Sequence, residues 1–163
     1  MFLVTFFKGV GRFFAGIFRG KMKKFAGQWG DLIVQLVAML TDVAVTGGGA
    51  AKMQKVLSAI KALAAQQGKE YIDTAAVLLA EMEIARINND DVQAILKAGL
   101  DDAVAAVKNF IDNGFSNQDS IRGLAAGKLI VDMKVAGIEM KDNTLRNINL
   151  LVATAMAKLL GAK

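Results

Sequence analysis

Five polar clusters punctuate the chain at roughly helix-length intervals, and no proline stands anywhere in it. They are Gly47-Gly48-Gly49, Gln66-Gln67-Gly68, Asn88-Asn89-Asp90-Asp91, Asp112-Asn113-Gly114 and Lys141-Asp142-Asn143-Thr144. Glycine tolerates the left-handed backbone that ends a helix, and Asp or Asn accepts from the free N–H groups that begin one. Proline would break the runs between. Those runs carry apolar residues at three- and four-residue spacing. Residues 50–67 align Met53, Val56, Leu57, Ile60, Leu63 and Ala64. Residues 69–87 align Ile72, Ala75, Ala76, Leu79 and Met82. Residues 90–112 align Val92, Ile95, Leu96, Leu100, Val104, Val107 and Ile111. Two more helices are predicted over 119–140, opened by Ser116-Asn117-Gln118-Asp119, and over 143–161. Both are apolar around much of their circumference, which predicts burial on several sides and contacts with other copies. The pattern predicts an all-α chain: a helical bundle, or extended helical hairpins, of about five to seven helices. It is expected to be oligomeric and to begin with a basic amphipathic helix.

That first helix has an unusual composition. Residues 1–25 hold seven of the nine phenylalanines, six basic residues and no acid; the first acid is Asp31. Successive residues on a helix turn by ~100°. Lys8, Arg12, Arg19 and Lys23 then share one stripe, and Phe2, Phe6, Phe7, Phe13, Phe14, Ile17 and Phe18 cover the opposite half. Lys21 and Lys24 break onto the apolar side. Such an arc suits a helix lying among lipid headgroups, its cations on the phosphates. It also suits packing on the chain's own core or in a partner's groove. Residues 26–30, AGQWG, read as a break, with Trp29 either an interfacial anchor at its end or half-buried at the bend. The six cations exceed the net charge of +5, so residues 31–163 sum to −1. Local basicity points to one electrostatic anchor, on an anionic lipid membrane or on a partner protein, and not to nucleic acid as a specific ligand.

Residues 31–46 read as a buried core helix. The uncharged run from Leu32 to Thr41 is too short to span a bilayer, and extending it takes in Asp42 at a cost. In an oligomer Asp42 would face a wet lumen or a subunit interface. Gly47, Gly48 and Gly49 read as a hinge. They are not a phosphate loop, because Ala50-Ala51-Lys52 follows where Gly-Lys-Ser/Thr is needed. The predicted organisation is therefore an anchor over 1–30, an apolar helix and hinge over 31–49, and a helical assembly body over 50–163.

The chain has neither cysteine nor histidine. Disulfides, thiolate or imidazole zinc sites, and Ser–His or Cys–His nucleophile pairs are thereby excluded. The carboxylate pairs Asp90/Asp91, Asp101/Asp102 and Glu81/Glu83 project in different directions and read as solvated faces and caps. No cofactor, metal or small-molecule substrate is expected, and no enzymatic activity. Charges interleave with the first apolar run instead of preceding it, so no secretory signal is expected. The expected location is membrane-associated or within a virion.

The segment FFKGVGRFFAGIFRGKMKKF resembles cationic amphipathic membrane-active peptides. The whole build resembles the small internal or ejection proteins of tailed phages. It shares features with holins but departs from them in lacking a clear uncharged span. The resemblance implies a non-enzymatic, self-assembling protein, stored in a virion with other virion proteins, that contributes to a conduit across an envelope. The alternatives are a purely structural subunit whose first helix docks on a partner, and a pore-forming toxin or holin-like lysis protein.

Overall fold

A computed structural model describes Phe14, residues 16–41, Val43, residues 47–88 and residues 91–162. Six helices are described: α1 (Lys21–Thr41), α2 (Gly48–Gln66), α3 (Asp73–Ile87), α4 (Val92–Asp112), α5 (Gln118–Val135) and α6 (Asp142–Leu160). No strand occurs among the described residues. Short turns reverse the chain between successive helices, but α4 packs against α5 and α6 and hardly touches α3. The start of α1 meets the α2–α3 turn, where Lys21 Nζ lies 3.5 Å from Glu70. The start of α5 comes to the same end, with Arg122 3.6 Å from Asp73. At the other end Lys52 Nζ donates to the Thr41 carbonyl at 3.0 Å, and Arg146 donates to Asn88 Oδ1 at 3.0 Å.

The predicted cap chemistry is present at the starts of α4 and α5, while α6, preceded by Lys141, has no side-chain cap. Asp91 Oδ1 accepts the Ala94 N–H at 3.1 Å, and Asn117 Oδ1 accepts the Ser120 N–H at 2.9 Å. Gly47 takes φ 95° where α2 begins, a conformation other residues rarely adopt. Asp91→Ala should cost about 1 kcal/mol, and Asp91→Asn far less. Urea midpoints of the two variants check this, and equal losses would show that the cap is not the cause.

The core is built on α3 and α6. On α3 every residue from Thr74 to Glu83 is buried, and on α6 every residue from Leu150 to Ala157. The other four helices lay one face each against this pair. Between α4 and α6 the approach is close: a Cβ on Gly99 would stand 2.7 Å from Leu151 Cδ1.

Several sequence expectations change. No break occurs at 26–30, because α1 runs through it. Two helical glycines, Gly27 and Gly30, cost roughly 1 kcal/mol each. Phe25, Trp29 and Ile33 offset that cost by burying one continuous face. The helix expected over 31–46 therefore starts earlier, and it stops at Thr41. α3 starts at Asp73 and not at 69; α5 ends at Val135, short of 140. Burial on several sides holds for α6 and fails for α5, which buries only Ile121, Ala125 and Leu129. Glu81 and Glu83 are not on a solvated face: α3 is covered all round, and both are buried. Phe14, Phe18, Met22, Phe25, Trp29, Ile33 and Val37 belong to the same hydrophobic cluster as the later helices. Gly47, Gly48 and Gly49 are exposed and form a turn and the start of α2, between two helices that share one core.

Candidate functional site at the basic end of the bundle

The start of α1 defines one end of the molecule. Its first turn contains Lys21, Lys23 and Lys24 and no acid, and Arg19 stands just ahead. All four side chains are exposed. The apolar residues between them turn inward. Phe14, Phe18, Met22, Phe25 and Trp29 are buried, and Ile17 packs against the same core. The expected separation of charge from aromatic surface is thus present in the described residues. Its apolar side faces the chain's own core and does not present Phe14, Ile17 or Phe18 to the outside. Trp29 is 4% exposed, which corrects the reading of it as an interfacial anchor. Its Nε1 has no hydrogen-bond partner among the described residues. Phe2, Phe6, Phe7, Lys8, Arg12 and Phe13 lie outside the described residues, as does Asp42.

Three lysines at this position are electrostatically unfavourable. The N-terminus of a helix carries a partial positive charge, and a nearby cation is repelled by it. Only Lys21 has a described counter-ion, Glu70, and both partners are exposed. Lys69 and Lys158 add exposed charge at the same end, one in the α2–α3 turn and one in the last turn of α6.

Beside the lysines lies a cleft of 520 Å³, lined by Lys61, Tyr71, Asp73, Asn117, Gln118 and Asp119 together with the end of α6. The Tyr71 hydroxyl donates to Asp73 Oδ1 at 3.0 Å. The ring meets Phe25 edge to face, with centroids 6.0 Å apart, and Lys61 Nζ lies 5.9 Å from its centroid. Burial, reinforced by the Asp73 charge, pushes the hydroxyl above its usual range. Tyr71 is therefore a fixed donor and not a nucleophile. Arg122, 19% exposed, bridges Asp73 on α3 and Asp119 on α5. Gln118 Oε1 is buried with no partner among the described residues. Two turns along the same face of α3 from Asp73 sits Glu81. Burial pushes its carboxyl up to about 7, and the Arg122 charge opposes the shift.

The cleft is chiefly a tie. The Arg122 guanidinium is matched by two carboxylates and the Tyr71 hydroxyl is committed to one of them, so the network joins α3 to α5 across the bundle end. No cluster of three or more potential metal-ligating side chains occurs among the described residues. The unmatched charge is on the surface around the cleft. Sequence reasoning located Arg19, Lys21, Lys23 and Lys24 but missed Tyr71, Asp73 and Arg122. The one available signal was a lone tyrosine between two acids, Glu70 and Asp73, in a helix connection. Nothing local indicates that Arg122 reaches another helix.

Among the described residues no helix is long and apolar enough to cross a membrane. No protein-family model matches the chain, and no curated protein or solved structure matches it either.

Proposed function

We propose that the chain is a non-enzymatic helical protein that attaches to an anionic membrane surface through its basic end. One observation carries this reading: Lys23 and Lys24 stand exposed at the positive end of α1 with no acid in its first turn. A helix start stabilises anions and repels cations. A chain that places lysines there is less stable alone than it could be, and phosphate headgroups would offset the loss. Lys8 and Arg12, in the chain ahead of Phe14, add to the same charge. The buried Phe14, Phe18 and Trp29 favour a rigid basic surface over insertion of that face. A virion setting, in which such a subunit meets an envelope on leaving the particle, belongs to the proposal on its build alone.

The double variant Lys23→Glu/Lys24→Glu tests the reading in two directions. Without lipid it should be more stable than wild type, by about 0.3–1 kcal/mol per residue, because acids suit a helix start. Yet its binding to phosphatidylglycerol vesicles should fall by roughly 30-fold or more, at ~1 kcal/mol for each cation lost. Wild-type binding should also weaken between 0.05 and 0.5 M salt, taken as roughly the range over which screening becomes strong. Unchanged vesicle binding by a variant that is more stable in urea would overturn the proposal. A variant that binds less because it is misfolded is told apart by that same stability measurement.

A further inference from the structure

α5 buries only three residues, the fewest of the described helices, and an apolar stripe runs along its exposed side. Leu124 is 40% exposed, Val131 59% and Val135 85%; Ile138, just past the helix end, is 48% exposed. With Gly127 these residues fall on one narrow stripe, three or four positions apart. A side chain added at Gly127 would meet nothing within 4 Å, so the stripe has an open notch in its middle. Lys128 and Asp132 flank one side and pair with each other at 3.1 Å. Scattered exposed apolar residues are ordinary, whereas a continuous row marks a contact surface.

We infer that this stripe pairs with the α5 stripe of a second copy, antiparallel, about a two-fold axis near Leu129 and Ile130. The stripe is complementary to itself in that arrangement. A reversed copy sets Leu124 against Val135 of the other chain and lowers Val131 into the notch at Gly127. Two-fold contacts repeat each match twice, as an isologous interface requires. The rotation also brings the two charged flanks to the same side. Lys128 of each copy then stands beside Asp132 of the other, and the existing pairs become a four-charge cluster of zero net charge. A parallel pair would set Gly127 on Gly127 and Val131 on Val131, leaving a gap beside a bulge. The inference is independent of membrane attachment, which uses the start of α1.

The full-length chain carries no cysteine, so introduced ones report without interference. In Leu124→Cys/Val135→Cys, the two thiols of one chain lie about 16 Å apart along the helix and cannot close on each other. Oxidation should give a covalent dimer of twice 17.3 kDa. The control Lys97→Cys/Lys108→Cys has the same spacing on exposed positions of α4 and should give at least tenfold less. Unmodified protein should show a concentration-dependent dimer in light scattering, lost in Val131→Glu, while Val131→Glu keeps its vesicle binding. A monomer at all concentrations with no excess of cross-linking over the control would overturn the inference. So would dimerisation only after removal of residues 2–13, which would mean that segment covers the stripe. A monomeric Val131→Glu with lost vesicle binding, beside a monomeric wild type, would assign the stripe to lipid and also overturn it.

Discussion

Trp29→Ala should destabilise the protein by about 3–5 kcal/mol, the range for deleting a large buried aromatic. That is a large share of the roughly 5–15 kcal/mol of a typical domain, so the variant should be partly unfolded at 37 °C. The cause is position. Trp29 is 4% exposed in the middle of α1, on the face that also buries Phe25 and Ile33. Its indole makes no described hydrogen bond, so the loss is one of packing and area. Trp29→Phe should therefore be mild, within about 1.5 kcal/mol, since it keeps most of the volume and removes an unsatisfied donor. Urea denaturation of the two variants separates this account from an interfacial tryptophan. An interfacial residue would lose vesicle affinity and almost no stability on going to alanine. If Trp29→Ala unfolds at the same urea concentration as wild type, the burial account is wrong.

The same tryptophan shows where sequence legibility ended. Gly27 and Gly30 on either side of it are local signals for a break, and locally that reading is sound. Burial of Phe25, Trp29 and Ile33 against the rest of the chain outweighs a propensity cost of roughly 2 kcal/mol, and no window of sequence displays that burial. Asp91 and Asn117 are the contrasting case. A cap is a contact between a side chain and backbone three residues away, so it could be read directly and stands as predicted. The number and order of the helices after residue 50 were legible for the same reason.

The basic segment was half legible. Its periodicity separated Arg19 and Lys23 from Phe14 and Phe18, and the structure keeps that separation. An amphipathic arc does not state what covers its apolar side, because lipid, a partner and the chain's own helices offer the same apolar contact. Phe14 and Phe18 are covered by the chain itself. Moving them into a bilayer would trade one apolar environment for another and leave cavities in the core, each with its own cost. The cations carry no such penalty, which is why the attachment proposed here runs through charge. The α5 stripe was misread in the opposite sense. An apolar circumference suggested burial on several sides, yet Val131 and Val135 find no cover among the described residues.

Glu81→Gln should remove a pH dependence that the wild type carries. Glu81 was read with Glu83 as part of a solvated face, but it lies inside the bundle on α3. Its neighbour Glu83 is held by Arg86 through two hydrogen bonds, at 2.9 and 2.6 Å. Glu81 has only the partial help of Arg122, whose guanidinium also serves Asp73 and Asp119. Burial therefore dominates and lifts the Glu81 carboxyl from 4.5 to about 7. Between those values the folded chain holds this proton and the unfolded chain has released it. Folding is then coupled to proton uptake, and stability falls as pH rises across the window. Below pH 4.5 both states are protonated and the burial penalty on charge is absent; above about 7 it is fully present, at about 3 kcal/mol. Glutamine keeps the shape without the charge, and any cost of burying its amide is the same at every pH. Relative to wild type, Glu81→Gln should thus gain about 3 kcal/mol of stability from pH 4.5 to pH 8. Most of the gain should fall between pH 5 and 7, taken as roughly the centre of that window. Urea titrations of both proteins at pH 4.5, 6 and 8 measure it, and taking the difference cancels every other titrating group. A difference that stays constant across the three pH values would mean that Glu81 is solvated, and that the α3 face running from Asp73 to Glu81 is open to water.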